Sequence, residues 1–335
     1  MDKEETKNIT IADVADALGV SKTTVSRAIS GKGRIGKETR DKVLAYIEEH
    51  DYKPNAIAKG LAQSKTYNLC VVMPGNYDIV DWNFFQECLF GIQEMAESMG
   101  YDILLTMCRM TDISSLERII ANRKVDGVIL MRTFLVDAQI EFLQQKNVPF
   151  VAVGSTHYED VIQIDHDHRS ACKELTAILL MKNLKKIALV GEDEGYVVNQ
   201  NRLSGFREAY QQMGLTIDER LLFLGPETRM CIDKTVNESL EQNVDCILCM
   251  DDAVASRVLR TLREKKVKVP DEVRVASFYD STILENSVPS ITSLSFDAKE
   301  LGRAACRTLL DIIEGIEVEE KTLLPYEVVL KESTK

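Results

Sequence analysis

The chain has 335 residues, 45% hydrophobic and 28% charged, which is the composition of an ordinary soluble protein with two or three domains. Its net charge of −12 argues against an electropositive surface over the whole molecule. The charge is uneven, however: residues 1–66 hold 12 Lys and Arg against 10 Asp and Glu, so only this part is locally basic and the rest is acidic. Met1–Lys7 is polar and of mixed charge, and the early apolar runs are short and interrupted. That pattern predicts neither a signal peptide nor a membrane span, and a cytoplasmic protein. The eight cysteines are scattered through apolar runs and are expected to be free core thiols. Only Cys246 and Cys249 have a C-x-x-C spacing, and they fall in a predicted buried strand with no second ligand pair.

A first helix is predicted from Thr10, which can cap it, with Asp13 placed to complete a capping box. Ile11, Val14, Ala15 and Leu18 recur at helical spacing, and Gly19 can end the helix in the left-handed conformation. Ser21 caps a second helix with Val25 and Ile29 inward and Lys22, Thr23, Ser26 and Arg27 outward. A third helix is predicted over about 37–49, with Val43, Leu44 and Ile47 on one face. The stretch 54–63 is expected to be a short helix, followed by a polar linker over 64–66. From Asn68 the texture changes. Predicted strands at 69–73, 103–107 and 128–131 alternate with helices near 84–99, 113–122 and 137–145. A second set of strands follows at 187–190, 221–224, 247–249 and 273–278, and a last one at 326–330. Alternating β and α segments predict parallel sheets covered on both faces. Two such sets, divided near Asp165, predict two lobes.

Two helices joined by a glycine-containing turn make a helix-turn-helix, whose second helix enters the major groove of DNA. Lys22 and Arg27 can donate to guanine O6 and N7, and Thr23 can reach a base edge or a thymine methyl. The pattern alone also fits a solvated amphipathic helix in an ordinary bundle. Several stretches narrow the choice: Thr10-Ile11-Ala12-Asp13-Val14-Ala15, Gly19-Val20-Ser21, Thr24-Val25-Ser26-Arg27, Thr39-Arg40-Asp41-Lys42-Val43, Tyr52-Lys53-Pro54-Asn55 and Ala58-Lys59-Gly60-Leu61. They closely resemble the head and hinge of lactose-repressor-type (LacI/GalR) regulators, and the resemblance continues over the body. It implies that Lys22, Thr23 and Arg27 read bases, that Arg34 lies at the DNA edge, and that Thr24 and Ser26 contact phosphates. It further implies a hinge helix, marginal in isolation, that pairs with its dimer mate in the minor groove. Asn55, Ala58 and Leu61 then belong to the DNA surface, with Leu61 as the apolar wedge.

The body also resembles periplasmic sugar-binding proteins. In such sheets ligands lie beyond the carboxyl ends of strands, which makes Asp78, Trp82, Phe84, Arg132, Ser155, Asp251 and Tyr279 effector candidates. Trp82 fits an interface or core aromatic equally well, and Asp252 reads as a helix cap. Arg202 matches the family arginine that hydrogen-bonds effector oxygens. Many sugar-responsive members carry a carboxylate where this chain has Tyr279, and several a polar residue where it has Met131. Together with Arg132, those departures shift the expectation towards an anionic ligand such as a sugar phosphate or uronate. The run Ile164-Asp165-His166-Asp167-His168 invites a metal site, but alternate residues of an extended strand face opposite sides. No Gly-x-Ser-x-Gly elbow or phosphate-binding loop occurs, and the four histidines (His50, His157, His166, His168) suggest no catalytic triad. No catalytic residue, cofactor or metal is therefore expected.

The expected architecture is a helix-turn-helix head over 1–53, a hinge and linker over 54–66, and a body of two Rossmann-like α/β lobes over 67–335. By resemblance, lobe one spans about 67–165 and 291–325, and lobe two about 166–290 and 326–335. The expected function is a transcriptional regulator, a repressor of carbohydrate-related genes. It would bind a pseudo-palindromic double-stranded operator as a homodimer, under control of a sugar or sugar derivative. The competing reading is a cytoplasmic small-molecule binding protein or receptor with a vestigial DNA head.

Overall fold

A computed structural model describes residues 9–31, 33–52, 65–75, 82–191, 195–225 and 231–335. The chain divides into two compact units between Thr66 and Tyr67. The first unit contains α1 (Ile11–Leu18), α2 (Lys22–Ser30) and α3 (Lys37–Glu49). The capping box forms: Asp13 Oδ2 accepts from Thr10 N at 2.8 Å, and Thr10 Oγ1 accepts from Asp13 N at 3.4 Å. Gly19, at φ 63°, turns the chain, and Ser21 Oγ accepts from Thr24 N at 3.1 Å to start α2. Val14, Ala15, Val25, Ala28, Val43 and Tyr52 form the small core. On α3 the inward face differs from expectation. Leu44 is 40% exposed, and Tyr46 joins Val43 and Ile47 against the other helices.

The second unit holds two six-stranded sheets. The first contains β1 (Asn68–Pro74), β2 (Asp102–Cys108), β3 (Gly127–Leu130), β4 (Phe150–Val153), β5 (Gln163–His166) and β11 (Lys321–Leu324), in the order β11-β5-β4-β3-β1-β2. All its pairings are parallel. The second contains β6 (Ile187–Val190), β7 (Leu222–Phe223), β8 (Cys246–Cys249), β9 (Arg274–Ser277), β10 (Thr292–Phe296) and β12 (Tyr326–Val329), in the order β12-β10-β9-β8-β6-β7. Only β12 runs antiparallel to its neighbour. The segment expected as a strand over 221–224 contributes only the two residues of β7, preceded by a tight turn over Glu219–Leu221.

Helices cover both faces of each sheet. On the first, α4 (Trp82–Ser98) and α12 (Ala298–Ile313) pack on one side, and α5 (Ser114–Ala121) and α6 (Ala138–Lys146) on the other. On the second, α7 (His168–Met181) and α8 (Val197–Gln212) oppose α9 (Ile232–Glu241), α10 (Asp252–Glu264) and the short α11 (Thr282–Glu285). Glycines set two of these contacts. A Cβ on Gly91 of α4 would collide with the backbone of Lys299, and one on Gly302 of α12 with that of Cys88. A Cβ on Gly205 of α8 would collide with Arg169 O in α7. Cys246 packs into the core under α7 and α8 and Cys249 into the opposite one, so residues three apart on β8 face opposite sides. Cys231, unlike the other seven, is exposed.

One boundary needs correction. The chain does not return to the first lobe at Ile291, because β10 pairs with β9 and β12 of the second sheet. It crosses after Phe296, where Asp297 Oδ1 accepts from Glu300 N at 2.8 Å and opens α12. The other crossings fall between β5 and α7 and between β11 and β12. Asp167 caps the first of these, accepting from Ser170 N at 3.0 Å, and His166 Nδ1 lies 3.0 Å from Pro325 O of the last. No helix among the described residues is long and apolar enough to cross a membrane.

Candidate functional site

In the first unit, Lys22, Thr23, Ser26 and Arg27 are exposed along α2, and Arg34 is exposed in the loop before α3. They share a solvent face because the helix turns only Val25, Ala28 and Ile29 into the core. Thr24 is half-buried, its hydroxyl 2.9 Å from Ser21 Oγ at the cap. The stem of Arg27 lies across Gly33, which at φ 91° holds a backbone conformation that a side chain would strain. Asn55, Ala58 and Leu61 lie outside the described residues.

In the second unit the strand order of each sheet reverses, between β1 and β3 in the first and between β6 and β8 in the second, and both sheets present carboxyl ends to the space between the lobes. Switch points of this kind open crevices. A cavity of about 120 Å³ lies there. A single water needs only about a tenth of that, so the space suits a small organic molecule. The first lobe contributes apolar walls, Phe84 and Phe85 from the start of α4, Met131 after β3 and Val153 at the end of β4, together with Asn83, Arg132, Thr133 and Asp165. The second contributes hydrogen-bonding groups: His168, Asn199, Arg202, Asp251, Asp252 and Tyr279.

Arg202 is only 8% exposed, yet among the described residues no carboxylate pairs with it. Its Nη1 donates to Asn199 Oδ1 at 3.5 Å, and among the described residues its Nε has no partner. Asp165, which belongs to the first lobe, is 3% exposed. Its Oδ2 accepts from Ser155 N at 2.7 Å and Ser155 Oγ at 2.8 Å, and its Oδ1 from His166 N at 2.8 Å. Burial raises its pKa despite these bonds. His168 Nε2 stands 3.5 Å from Asp165 Oδ1. Burial, and after it the Arg202 charge, pushes the His168 pKa well below the usual histidine value. Burial likewise raises that of Tyr279.

Arg132 lines the cavity and also bridges the lobes. Its guanidinium is sandwiched between the lobes, 5.0 Å from the Phe85 ring centroid and 4.5 Å from that of Tyr196. Beside it, Leu135 N donates to Gly195 O at 3.2 Å, and the rings of Phe134 and Tyr196 lie 5.6 Å apart. The floor of the cleft closes with Phe84 edge-on to Tyr279 at 6.0 Å. A second interlobe cavity of about 210 Å³ lies on another side of Tyr279, against Glu87, Asp280 and Glu285. It lacks the aromatic sandwich and the unpaired guanidinium, and Lys331 already neutralises Asp280 at 2.8 Å.

Of the effector candidates, Phe84, Arg132, Arg202, Asp251 and Tyr279 line the first cavity. Ser155 does not, because both of its donors are turned onto Asp165. The two aspartates after β8 also differ from expectation. Asp251 is the cap, accepting from Val254 N at 2.8 Å, whereas Asp252 follows it, is buried and lines the cavity as well. Asp78 and the side chain of Trp82 lie outside the described residues. Sequence reasoning missed Phe85, Tyr196 and Asn199, which come together only when the lobes meet. It set aside Asp165 and His168 by treating 164–168 as one extended strand. The strand ends at His166 and a helix begins at His168, so residues three apart converge. Among the described residues no group of three or more His, Cys, Asp or Glu could hold a metal.

Residues 10–55 match the family described as bacterial regulatory proteins, lacI family, and residues 176–334 a periplasmic binding protein-like domain. The chain thus carries a lacI-family DNA-binding domain followed by a periplasmic binding protein-like domain. The chain is 28% identical over 333 residues to catabolite control protein A of Staphylococcus aureus (strain N315), covering 98% of this chain and 99% of that protein. Among solved structures, the complex of transcriptional regulator CelR with cellobiose is 28% identical, covers 97% of this chain and 99% of its own, and superposes with a TM-score of 0.74. The Lac repressor dimer bound to operator and an anti-inducer is 22% identical, covers 98% and 99%, and has a TM-score of 0.82, a likeness of fold. The protein is a DNA-binding transcription regulator with a helix-turn-helix head and a two-lobed α/β body.

Proposed function

We propose that this regulator is a cytoplasmic homodimer that represses carbohydrate-related genes from a pseudo-palindromic operator and is switched by a sugar or sugar derivative held between its lobes. Residues 1–53 act as the head and 54–66 as the hinge and linker, with Lys22, Thr23 and Arg27 reading bases. Thr24, Ser26, Arg34, Asn55, Ala58 and Leu61 complete the DNA surface. One observation carries the effector reading: a buried guanidinium, Arg202, which forms no ion pair among the described residues and whose Nε has no partner there, belongs to a cavity walled by aromatic rings of both lobes. Buried unsatisfied donors are rare unless a ligand or water completes them. A ligand that touches both lobes binds their two settings with different affinity, which is the requirement for linkage to DNA. Self-association is supported by exposed apolar side chains on the first lobe, Phe90 on α4 and Leu105 and Met107 on edge strand β2. The relatives are transcription regulators, and the reading assigns no catalytic reaction to this chain. The test pairs a thermal-shift screen of sugars, sugar acids and sugar phosphates with gel shifts on a selected operator. A compound that both raises Tm and changes operator affinity supports the reading. Binding without any effect on DNA would favour a receptor with an idle head.

A further inference from the structure

The chain passes between the lobes at three places, and two histidines join all three. His166 ends β5 and His168 opens α7, so both stand on the first crossing. Their ring centroids lie 5.0 and 4.6 Å from that of Phe296, the last residue of β10 before the second crossing. His166 Nδ1 is 3.0 Å from Pro325 O on the third. The two histidines are 2% and 7% exposed, so both rings are packed inside the junction. Motion of one lobe against the other must turn the chain at these three places, and the rings fill the space between them.

The two rings answer differently to a proton. A carbonyl only accepts, so Nδ1 of His166 carries the hydrogen that points at Pro325 O, and Nε2 is bare in the neutral ring. That Nε2 is buried and has no partner among the described residues. A second proton there would set a charged N–H where neither water nor an acceptor meets it. Burial holds the His166 pKa below the ordinary histidine value, against the pull of Asp165 on its own strand, the carbonyls of Pro325 and Leu324, and Asp297 at the start of α12. His168 has burial against it and also the charge of Arg202 on α8 and the His166 ring. Asp167 links the two histidines in the chain, and on the β12 side Tyr326 donates to Glu174 of α7 at 2.8 Å, which engages that carboxylate. Of the two rings it is therefore His166 that gains a proton once it meets water.

We infer that the three crossings form a proton-operated hinge whose sensor is His166, closed while the imidazole is neutral and driven to a more open setting of the lobes when a second proton takes Nε2. The direction follows from linkage. A setting that hydrates Nε2 binds the proton more tightly than the closed one, so it gains population as pH falls and loses it as pH rises. Asp165 does not cancel this, although burial raises its pKa. Its hydrogen bonds come from Ser155 and His166 of its own lobe and persist when the lobes part. With no proton on Nε2 in the closed setting and an ordinary value of about 6.5 in the open one, the lobe equilibrium moves about tenfold between pH 7.5 and 5.5. The hinge stands on the packing of the crossings, and its passage to DNA rests on the proposed linkage between lobes and head.

Small-angle scattering and gel shifts on the full chain without effector, at pH 7.5 and 5.5 and one ionic strength, test both parts. Wild type should have a larger radius of gyration at pH 5.5, and its affinity for a selected operator should change by up to about tenfold. In His166→Asn the amide keeps a donor for Pro325 O and cannot titrate, so the radius should stay constant and operator affinity should hold within about twofold. His168→Asn keeps the sensor and should respond to pH as wild type does. No opening in wild type, or equal opening in His166→Asn, overturns the inference. So does a more compact wild type at pH 5.5, which would make Asp165 the sensor. Should His166→Asn not fold, His166→Gln takes its place. Should neither fold, 15N NMR of labelled histidine rings in the wild type decides: one ring must titrate with the midpoint of the change in radius, and the absence of such a ring overturns the inference. Opening through His166 with unchanged operator affinity supports the hinge and overturns its linkage to DNA.

Discussion

The two lobes have the same strand order and the same helical cover, yet they bring different mixtures of side chains to the cleft, and most of its aliphatic and phenyl surface comes from the first. The first supplies Phe84, Phe85, Met131 and Val153, with Asp165 as its buried carboxylate; the second supplies His168, Asn199, Arg202 and Asp252. One fold used twice therefore gives a face suited to a ring and a face suited to its polar edges. The difference resides in the residues after each strand, which the sheet positions and does not itself need. A ligand satisfied by both faces must touch both lobes, and that couples binding to the lobes' setting.

The largest expected effect tests whether the shared scaffold matters equally in both lobes. Gly205→Ala and Gly302→Ala each place a Cβ against backbone that cannot step aside. Each should cost about 3 kcal/mol or more by overpacking, and a denaturant series should show similar losses of midpoint. A neutral result at either site would mean that its helix pair can separate.

Next in size is the polar face. Arg202→Ala removes charge-assisted hydrogen bonds of about 1.5–3 kcal/mol each, and effector affinity should fall about ten- to a hundredfold. Operator binding without effector should persist, because Arg202 lies in the body. Calorimetry and gel shifts on the same preparation check both parts, and wild-type effector affinity in the variant would remove Arg202 from the site. In the head, Arg27→Ala should cost about 1–3 kcal/mol on the specific operator and relax one base position. Equal losses on specific and random DNA would instead make Arg27 a phosphate contact.

A smaller effect is expected on the apolar side. Arg132→Ala dissolves the sandwich with Phe85 and Tyr196, worth about 0.5–2 kcal/mol. The cleft should open, which small-angle scattering without ligand would read as a larger radius of gyration. An unchanged scattering curve would show that the bridge at Leu135 and Gly195 suffices to hold the lobes.

The smallest effect concerns pH. Burial depresses the folded-state pKa of both His166 and His168. The unfolded chain then binds more protons than the folded one as pH falls below about 6.5. Stability contributed by these neutral rings is present at pH 7 and is lost on acidification towards their folded-state pKa values. Asp165, whose pKa is raised by burial, acts in the opposite sense. Denaturation at pH 7 and pH 5.5 should show a loss that shrinks in His166→Phe. An identical loss in that variant would assign it elsewhere.

Local order was legible in the sequence because it rests on neighbours in the chain. The Thr10–Asp13 box, the Ser21 cap, the turn at Gly19 and the outward face of α2 need only 3.6-residue spacing and capping chemistry. The alternation of strands and helices, and hence two parallel sheets, needs little more. Arg202 was found through resemblance to a family, a signal carried by neither spacing nor charge. Leu44 already exceeds local reasoning, since helical spacing alone does not say which of two neighbouring apolar residues is buried, and the packing of α1 and α2 chose Val43.

Only the tertiary structure decided which lobe owns β10, because a strand's sheet is set by partners far along the chain, here Ala276–Ser277 and Tyr326–Val329. It likewise turned Ser155 onto Asp165, gave the helix cap to Asp251 while bringing Asp252 into the cavity lining beside it, and set Arg132 between rings from both lobes. Each of these follows from burial at a distance. A hydroxyl, carboxylate or guanidinium taken from water must find its partner among whatever the fold brings near, and sequence spacing does not encode that neighbourhood.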